Sequence, residues 1–238
     1  GKDVHGGPWI TLGTHGEAVR ALAFTAEGSR LLTGARDGSV RLWDLEGRRL
    51  QKELLPHEAR VNACALAGNR AATAGPDGIR LWDLQEGALL RTLSASGAWV
   101  SDVTLSPDGS RVAGALLDGT LRLWNAEDGA LLWTVQAERG WCAAVAYHPR
   151  EPWIATGHEL GTLALWDAEG GKLLRQGLVE AKATWQTGTH PVHALAWSPD
   201  GLALAAAFGD AVRVYDRSLR TSGGPGWILP LDWADEYT

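Results

Sequence analysis

At 238 residues the chain is long enough for one large core, or for five or six units of about forty residues. Its makeup is globular, with 45% apolar and 21% charged residues, 30 Gly and 10 Pro. A net charge of −6 argues against a surface that tracks nucleic-acid phosphates, and two cysteines, Cys64 and Cys142, cannot make a disulfide scaffold and read as reduced core thiols.

No apolar run approaches the roughly 18 residues that cross a bilayer. Gly1 to Leu12 lacks the basic start and apolar stretch of a signal peptide. A cytoplasmic protein without membrane or nucleic-acid partners is the expectation. The chain starts at Gly1 and has no Met, which reads as a processed product or a piece of a longer protein; 18 Arg against 4 Lys suggests a GC-rich bacterial source.

In chain order, the first unit runs over 13–55. Gly13-Thr14-His15 leads into Val19–Phe24, a turn at Ala26–Ser29, then Leu31–Gly34. A second turn at Arg36-Asp37-Gly38 passes to Ser39–Asp44, and Arg49–Leu55 closes the unit. Short apolar runs punctuated by Gly, Pro, Asp and Asn predict four antiparallel strands joined by tight turns. The same plan repeats over 56–94, 95–136, 137–188 and 189–238. Its third strand ends each time in an aromatic followed by an acid or amide: Trp43-Asp44, Trp82-Asp83, Trp124-Asn125, Trp166-Asp167 and Tyr215-Asp216, spaced 39, 42, 42 and 49 residues apart.

Turn chemistry keeps the same phase. Ser106-Pro107-Asp108-Gly109 and Ser198-Pro199-Asp200-Gly201 follow the first strands of units three and five, and Asp-Gly recurs at Asp37-Gly38, Asp77-Gly78 and Asp118-Gly119 between second and third strands. The strands are apolar on both sides of the pleat, so both faces of each sheet must be covered. Sheets stacked around an axis meet that demand, with the small Ala side near a crowded hub. The expected fold is all-β, one β-propeller domain of four-stranded antiparallel blades with five recognisable repeats.

These residues resemble the WD40 repeat family over about 13–216. The resemblance implies a side-chain network linking the His before the first strand, a Thr or Ser of the second, the Asp of the next turn and the Trp of the third. Unit one supplies His15, Thr33, Asp37 and Trp43; unit two supplies His57, Thr73, Asp77 and Trp82. Unit three keeps Asp118 and Trp124 but has Ser96 and Gly114 at the other positions, and unit four keeps Thr156 and Trp166 but has Glu138 and Leu160. Unit five offers His190 and Asp210 with Ala206 and Tyr215. Half-emptied networks rigidify less, so units three to five should open more readily than one and two.

The resemblance also implies ring closure by a terminal outer strand. Residues 8–12 could provide it, and so could Pro225–Leu231. Either five blades close alone, or the chain contributes to a larger ring of a longer parent protein.

Little in the chain points to catalytic chemistry. His148 and His158 fall in turn regions and His193 in a first strand, with no His-x-x-x-His or Cys-x-x-Cys spacing, so no metal or cofactor is expected. A propeller glycosidase needs two inward carboxylates about 5 to 10 Å apart at the starts of the inner strands. Those starts hold Val19-Arg20, Val61-Asn62, Val100-Ser101, Cys142-Ala143 and Val192-His193, with Asp102 as the single acid.

The loops before the first strand and between the second and third share a rim in WD40-like rings. Here that rim carries Arg20, Arg36, Arg60, Asn62, Trp99, Leu117, Trp141, Glu159 and His193. Trp99 and Trp141 hold one register position in adjacent units; they either form an apolar anchor for a partner or fold down as caps on the core. Trp133, Trp153, Trp185 and Trp197 read as packing residues, with Trp185 in a surface insertion at 179–187. The functional expectation is a non-catalytic propeller binding a protein or peptide, as scaffold or as the sensing module of a larger bacterial signalling or defence protein, a context the resemblance implies. A lectin-like binder of small ligands or glycans is the alternative, and a glycosidase comes third.

Overall fold

The structure, a computed structural model, describes residues 10–137, 140–178, 191–209 and 211–216. Outside it fall Pro8, Trp9, Glu138, Trp185, His190, Asp210 and the 225–231 segment, each singled out above. The first blade is β1 (Val19–Phe24), β2 (Arg30–Ala35), β3 (Val40–Asp44) and β4 (Arg49–Leu54). The second is β5 (Ala63–Ala67), β6 (Arg70–Gly75), β7 (Gly78–Asp83) and β8 (Ala88–Leu93); the third is β9 (Val100–Leu105), β10 (Arg111–Leu116), β11 (Thr120–Asn125) and β12 (Leu131–Gln136). The fourth is β13 (Cys142–Tyr147), β14 (Trp153–His158), β15 (Thr162–Asp167) and β16 (Leu173–Leu178), and the fifth has three strands among the described residues, β17 (Val192–Trp197), β18 (Ala203–Phe208) and β19 (Ala211–Asp216). Every sheet is antiparallel with strands in chain order. This is the β-propeller expected from the repeat.

The Asp-Gly turns are required by geometry. Gly38 sits at φ 82°, and the backbone carbonyl of His57 occupies the space a side chain would need, so this turn lets blade two approach blade one.

Blades stack with their first strands together: β1 on β5, β5 on β9, β9 on β13 and β13 on β17. Each interface sets the same two faces against each other. Ala21, Leu32, Val40 and Leu42 of blade one meet Cys64, Leu66, Ala71 and Trp82 of blade two, and Ala72, Ala74, Ile79 and Leu81 meet Val103, Leu105, Val112 and Trp124 one step on. The repeat aromatics are buried wedges: Trp82 lies against blade one, Trp124 against two, Trp166 against three and Tyr215 against four. Trp43 is buried too, although it faces away from blade two, because Gly13 lies against its ring and His15 meets it edge-on at 6.2 Å.

Among the described residues, no blade covers the outer faces of blades one and five. Leu22 is 63% exposed, while Val103 at the same position of blade three is 3% exposed; Val212 of blade five is 72% exposed, while its equivalents Val40, Ile79 and Leu121 are fully buried. No packing comparable to the other interfaces joins β17 to β1 among the described residues. Ile10, Thr11 and Leu12, the described part of the 8–12 segment read as an outer strand, belong to no strand, and Ile10 is exposed.

The first strands of blades one, three, four and five depart from regular pairing near their starts, whereas β5 of blade two pairs without a shift. Register shifts between Val19 and Ala21, Cys142 and Ala144, and Val192 and Ala194, and between Asp102, which pairs with Ala115, and Val100, which pairs with Leu116, leave Arg20, Ala143, His193 and Ser101 as bulged residues. A bulge re-aims its side chain. These are the positions read from sequence as inner-strand starts.

Candidate functional site

The network residues come together as the sequence suggested in blade two. Trp82 Nε1–H donates to Thr73 Oγ1 at 2.9 Å, the Thr73 hydroxyl donates to His57 Nε2 at 2.8 Å, and His57 Nδ1–H donates to Asp77 at 2.7 Å. Burial lowers the pKa of His57 against the pull of Asp77, which keeps the ring neutral and in the tautomer the chain of donors requires. Arg80 anchors the same carboxylate and the Pro56 carbonyl, which fixes the segment carrying His57.

Blade one inserts a residue. His15 bonds Thr33 at 2.8 Å and Ser39 at 2.6 Å; Ser39 in turn donates to Asp37 at 2.5 Å, and Trp43 donates to Thr33 at 2.7 Å. Asp37 therefore reaches His15 through a hydroxyl. The Ser39 bond holds its carboxyl below the usual range.

Blade four differs from the sequence reading. His158, assigned there to a turn, is the last residue of β14 and is buried; its Nε2 lies 2.9 Å from Thr156 Oγ1, which accepts from Trp166 Nε1 at 2.8 Å. It replaces the missing upstream His by reaching from the neighbouring backbone position, which holds Ala35, Leu116 or Phe208 in other blades. Burial drives its pKa down to about 4, and its Nδ1 has no hydrogen-bond partner among the described residues. Blade three has no such substitute: Asp118 is engaged by Thr120 at 2.6 Å and Arg122 at 2.9 Å, and the Trp124 ring lies over Gly114. In blade five Tyr215 is buried opposite Ala206's hydroxyl-free side chain, while His190 and Asp210 lie outside the described residues.

On the rim, Trp99 and Trp141 are 47% and 53% exposed. About half of each side chain is therefore open to solvent. The amide of Leu117 bonds the Trp99 carbonyl at 3.0 Å, and that of Glu159 bonds the Trp141 carbonyl at 3.0 Å, so the two indoles do hold one register. Arg60 lies over the Trp99 ring, 5.1 Å from its centroid, and its Nε donates to Asn62 Oδ1 at 3.0 Å. The Asn62 amide donates to the Val100 carbonyl at 2.8 Å, and the Ser101 hydroxyl lies 2.5 Å from the Cys142 carbonyl. Side chains of blades two and three thus tie down the strand starts that carry the two tryptophans. Glu159 also accepts from the Trp141 amide at 3.3 Å.

The remaining rim residues stand apart. Arg20 and His193 are exposed, and Arg36 points to Glu17 at 3.7 Å with both side chains exposed. Among the described residues no hydrogen bond or ion pair joins Arg20 or Arg36 to the tryptophan pair.

Asp102, the acid read from sequence at the inner-strand starts, is a strut. Its carboxylate accepts from the amides of Val103 at 2.9 Å and Val145 at 2.8 Å, bridging blades three and four, and burial pushes its pKa up to about 6. Thr104 does the same for the Tyr147 amide at 3.2 Å. These bridges satisfy backbone groups on the free edge of β13 and were not legible from sequence, since they join residues more than forty positions apart. His148, also assigned to a turn, is buried between Trp153 and Trp197 with centroids 5.2 and 4.6 Å away, and bonds the Gly201 carbonyl at 3.0 Å. Trp133 and Trp197 likewise donate across blades, to Ala168 and Ala146 carbonyls. On the turn face, a cleft of about 330 Å³ is lined by Asp108, Arg111, Tyr147, Arg150 and Glu169, but Arg111 is already committed to Glu169 at 2.9 Å.

Comparison with known proteins agrees with this geometry. WD repeat-containing protein 55 of Pongo abelii is 31% identical over 112 residues, 46% of this chain and 29% of its own length. Autophagy-related protein 16 of Arabidopsis thaliana is 32% identical over 109 residues, 42% of this chain and 21% of its own. Small ribosomal subunit protein RACK1y of Oryza sativa subsp. japonica is 38% identical over 81 residues, 33% of this chain and 24% of its own. The chain thus spans less than a third of the length of these relatives. The WD40 family, described as WD domain, G-beta repeat, matches residues 6–44, 87–125, 129–167 and 181–216; 45–86 is outside the matches although it holds the most complete network. With more than half of its residues matched and five blades wedged by the repeat aromatics, the chain belongs to the WD40 repeat family.

Proposed function

We propose that this propeller is a non-catalytic docking module that binds a protein or peptide across the rim carrying Trp99 and Trp141. One observation carries the reading: these two indoles are half exposed at one register on adjacent blades, whereas the repeat indoles of the same blades, Trp124 and Trp166, are buried. Exposed indoles beside an arginine are the side chains that concentrate binding energy at protein interfaces. Their supports, Asn62, Ser101 and Glu159, are bonded in place, so little ordering cost attends binding. One relative is by name a small ribosomal subunit protein, a member of a larger assembly, which supports an interaction role for this chain as well. The non-catalytic reading is supported by Asp102, whose carboxylate is occupied with two amides and has no second acid at the inner-strand starts to work with.

The test is a pull-down from lysate of the source cells with wild type and with the variant carrying Trp99→Ala and Trp141→Ala, alongside a glycan array. Proteins retained by wild type and lost from the variant support docking. Retention by both, or glycan binding without protein retention, would refute it.

A further inference from the structure

Resting on that docking reading, we propose that the partner is a peptide segment whose apolar anchor sits at Trp99 and Trp141 and whose acidic flank lies over Arg60, with a neutral or basic flank toward Glu159. The patch has electrical polarity. Arg60 adjoins the first tryptophan, and Glu159 is bonded to the backbone of the second. A chain laid across both meets a cation at one end and an anion at the other, which selects direction as well as composition.

Arg60 is built for this task. Its Nε is bound by Asn62, whose own amide is fixed on the Val100 carbonyl, and its guanidinium lies over the indole face of Trp99. The fork is thereby oriented with its two terminal nitrogens left for a carboxylate, the planar bidentate geometry that lysine cannot match. Among the described residues no ion pair engages Arg60, whereas the next rim acid, Asp77, is taken by His57 and Arg80. Glu58, exposed two residues before Arg60, is the neighbouring acid that opposes it. In a chain of net charge −6, an arginine over an exposed indole, with no ion pair among the described residues, makes a local exception to the general repulsion of acidic peptides.

The test uses three fluorescein-labelled probe peptides titrated into the chain and followed by anisotropy. One has a run of glutamates, then Leu-Phe-Leu, then lysines; the second exchanges the two charged flanks; the third replaces one glutamate of the first by phosphoserine and the rest by glycine. The first should bind at least about tenfold more tightly than the second. Arg60→Glu should erase or invert that preference, Arg60→Lys should keep part of it, and melts should confirm that both variants remain folded. Equal binding of the first two probes, lost on Trp99→Ala with Trp141→Ala, would overturn the acidic assignment and leave the docking reading standing. Binding of the phosphoserine probe alone would also overturn it, in favour of phosphate recognition. Failure of all probes, or binding that the double tryptophan variant retains, would count against docking itself and against this proposal with it.

Discussion

Thr156 Oγ1 and His158 Nε2 lie 2.9 Å apart at the end of one strand, and this pair restores to blade four the histidine its sequence pattern lacks. Because the ring is buried, its folded-state pKa is about 4 against 6.5 for the free side chain. The unfolded chain therefore binds more protons between those values. Stability is full above about pH 6.5 and is lost as pH falls toward 4, by an amount on the order of 3 kcal/mol from this group. His158→Asn should flatten that part of a pH series of urea melts; an unchanged slope would show the ring is not buried neutral.

Asp102 acts with the opposite sign. Its carboxyl is raised to about 6 from 3.8, so the folded state holds its proton longer than the unfolded chain does. Its contribution to stability declines as pH rises from about 4 to 6 and then levels, by at most about 3 kcal/mol, since part of the residue still faces the hub. Asp102→Asn keeps an acceptor for one of the two amides and removes the charge. It should leave the protein as stable as wild type or more so at pH 7, with the gain vanishing near pH 4. A variant less stable by several kcal/mol at pH 7 would contradict this.

The networks should set local stability. Thr73→Val removes the hydroxyl shared by His57 and Trp82 without changing volume much, leaving two buried polar atoms unpartnered, and should cost about 2 to 4 kcal/mol in chemical melts. Hydrogen exchange should find β6 and β14 better protected than β10, where Gly114 offers no hydroxyl, and β18, where Ala206 stands. Equal protection across these four strands would set the idea aside. The sequence-based expectation placed blade four among the weak ones; His158 moves it to the strong group.

The outer face of blade one gives a paired comparison. Leu22→Ser should change stability by less than about 0.5 kcal/mol, whereas Val103→Ala at the equivalent place should cost about 1 to 3 kcal/mol. A cost at Leu22 matching that at Val103 would mean that its face is covered in solution.

Much of this was legible in the sequence because the repeat has a period. Five phased Trp-Asp-like endings, Asp-Gly turns and two-sided apolar strands each follow from local geometry, so strand order, sheet count and the wedge role of Trp82 or Trp166 could be read directly. The rim register of Trp99 and Trp141 followed from the same phase. What the phase could not supply was contact between unlike positions. Asp102 on the Val145 amide and Arg60 over Trp99 join side chains that other blades do not repeat, Asn62 on the Val100 carbonyl recurs only as Ser101 on the Cys142 carbonyl, and His158 fills its role from a position that is apolar in blades one, three and five. Those contacts depend on how neighbouring blades meet, which a single repeat does not encode.

Thermal melting separates the indoles that wedge the blades from those proposed for docking. The variant carrying Trp99→Ala and Trp141→Ala should melt within about 2 °C of wild type, while Trp82→Ala, losing a fully buried ring, should fall by roughly 10 °C or fail to fold. A drop of roughly 10 °C in the double rim variant would mean that Trp99 and Trp141 hold the fold together and are not a surface reserved for a partner.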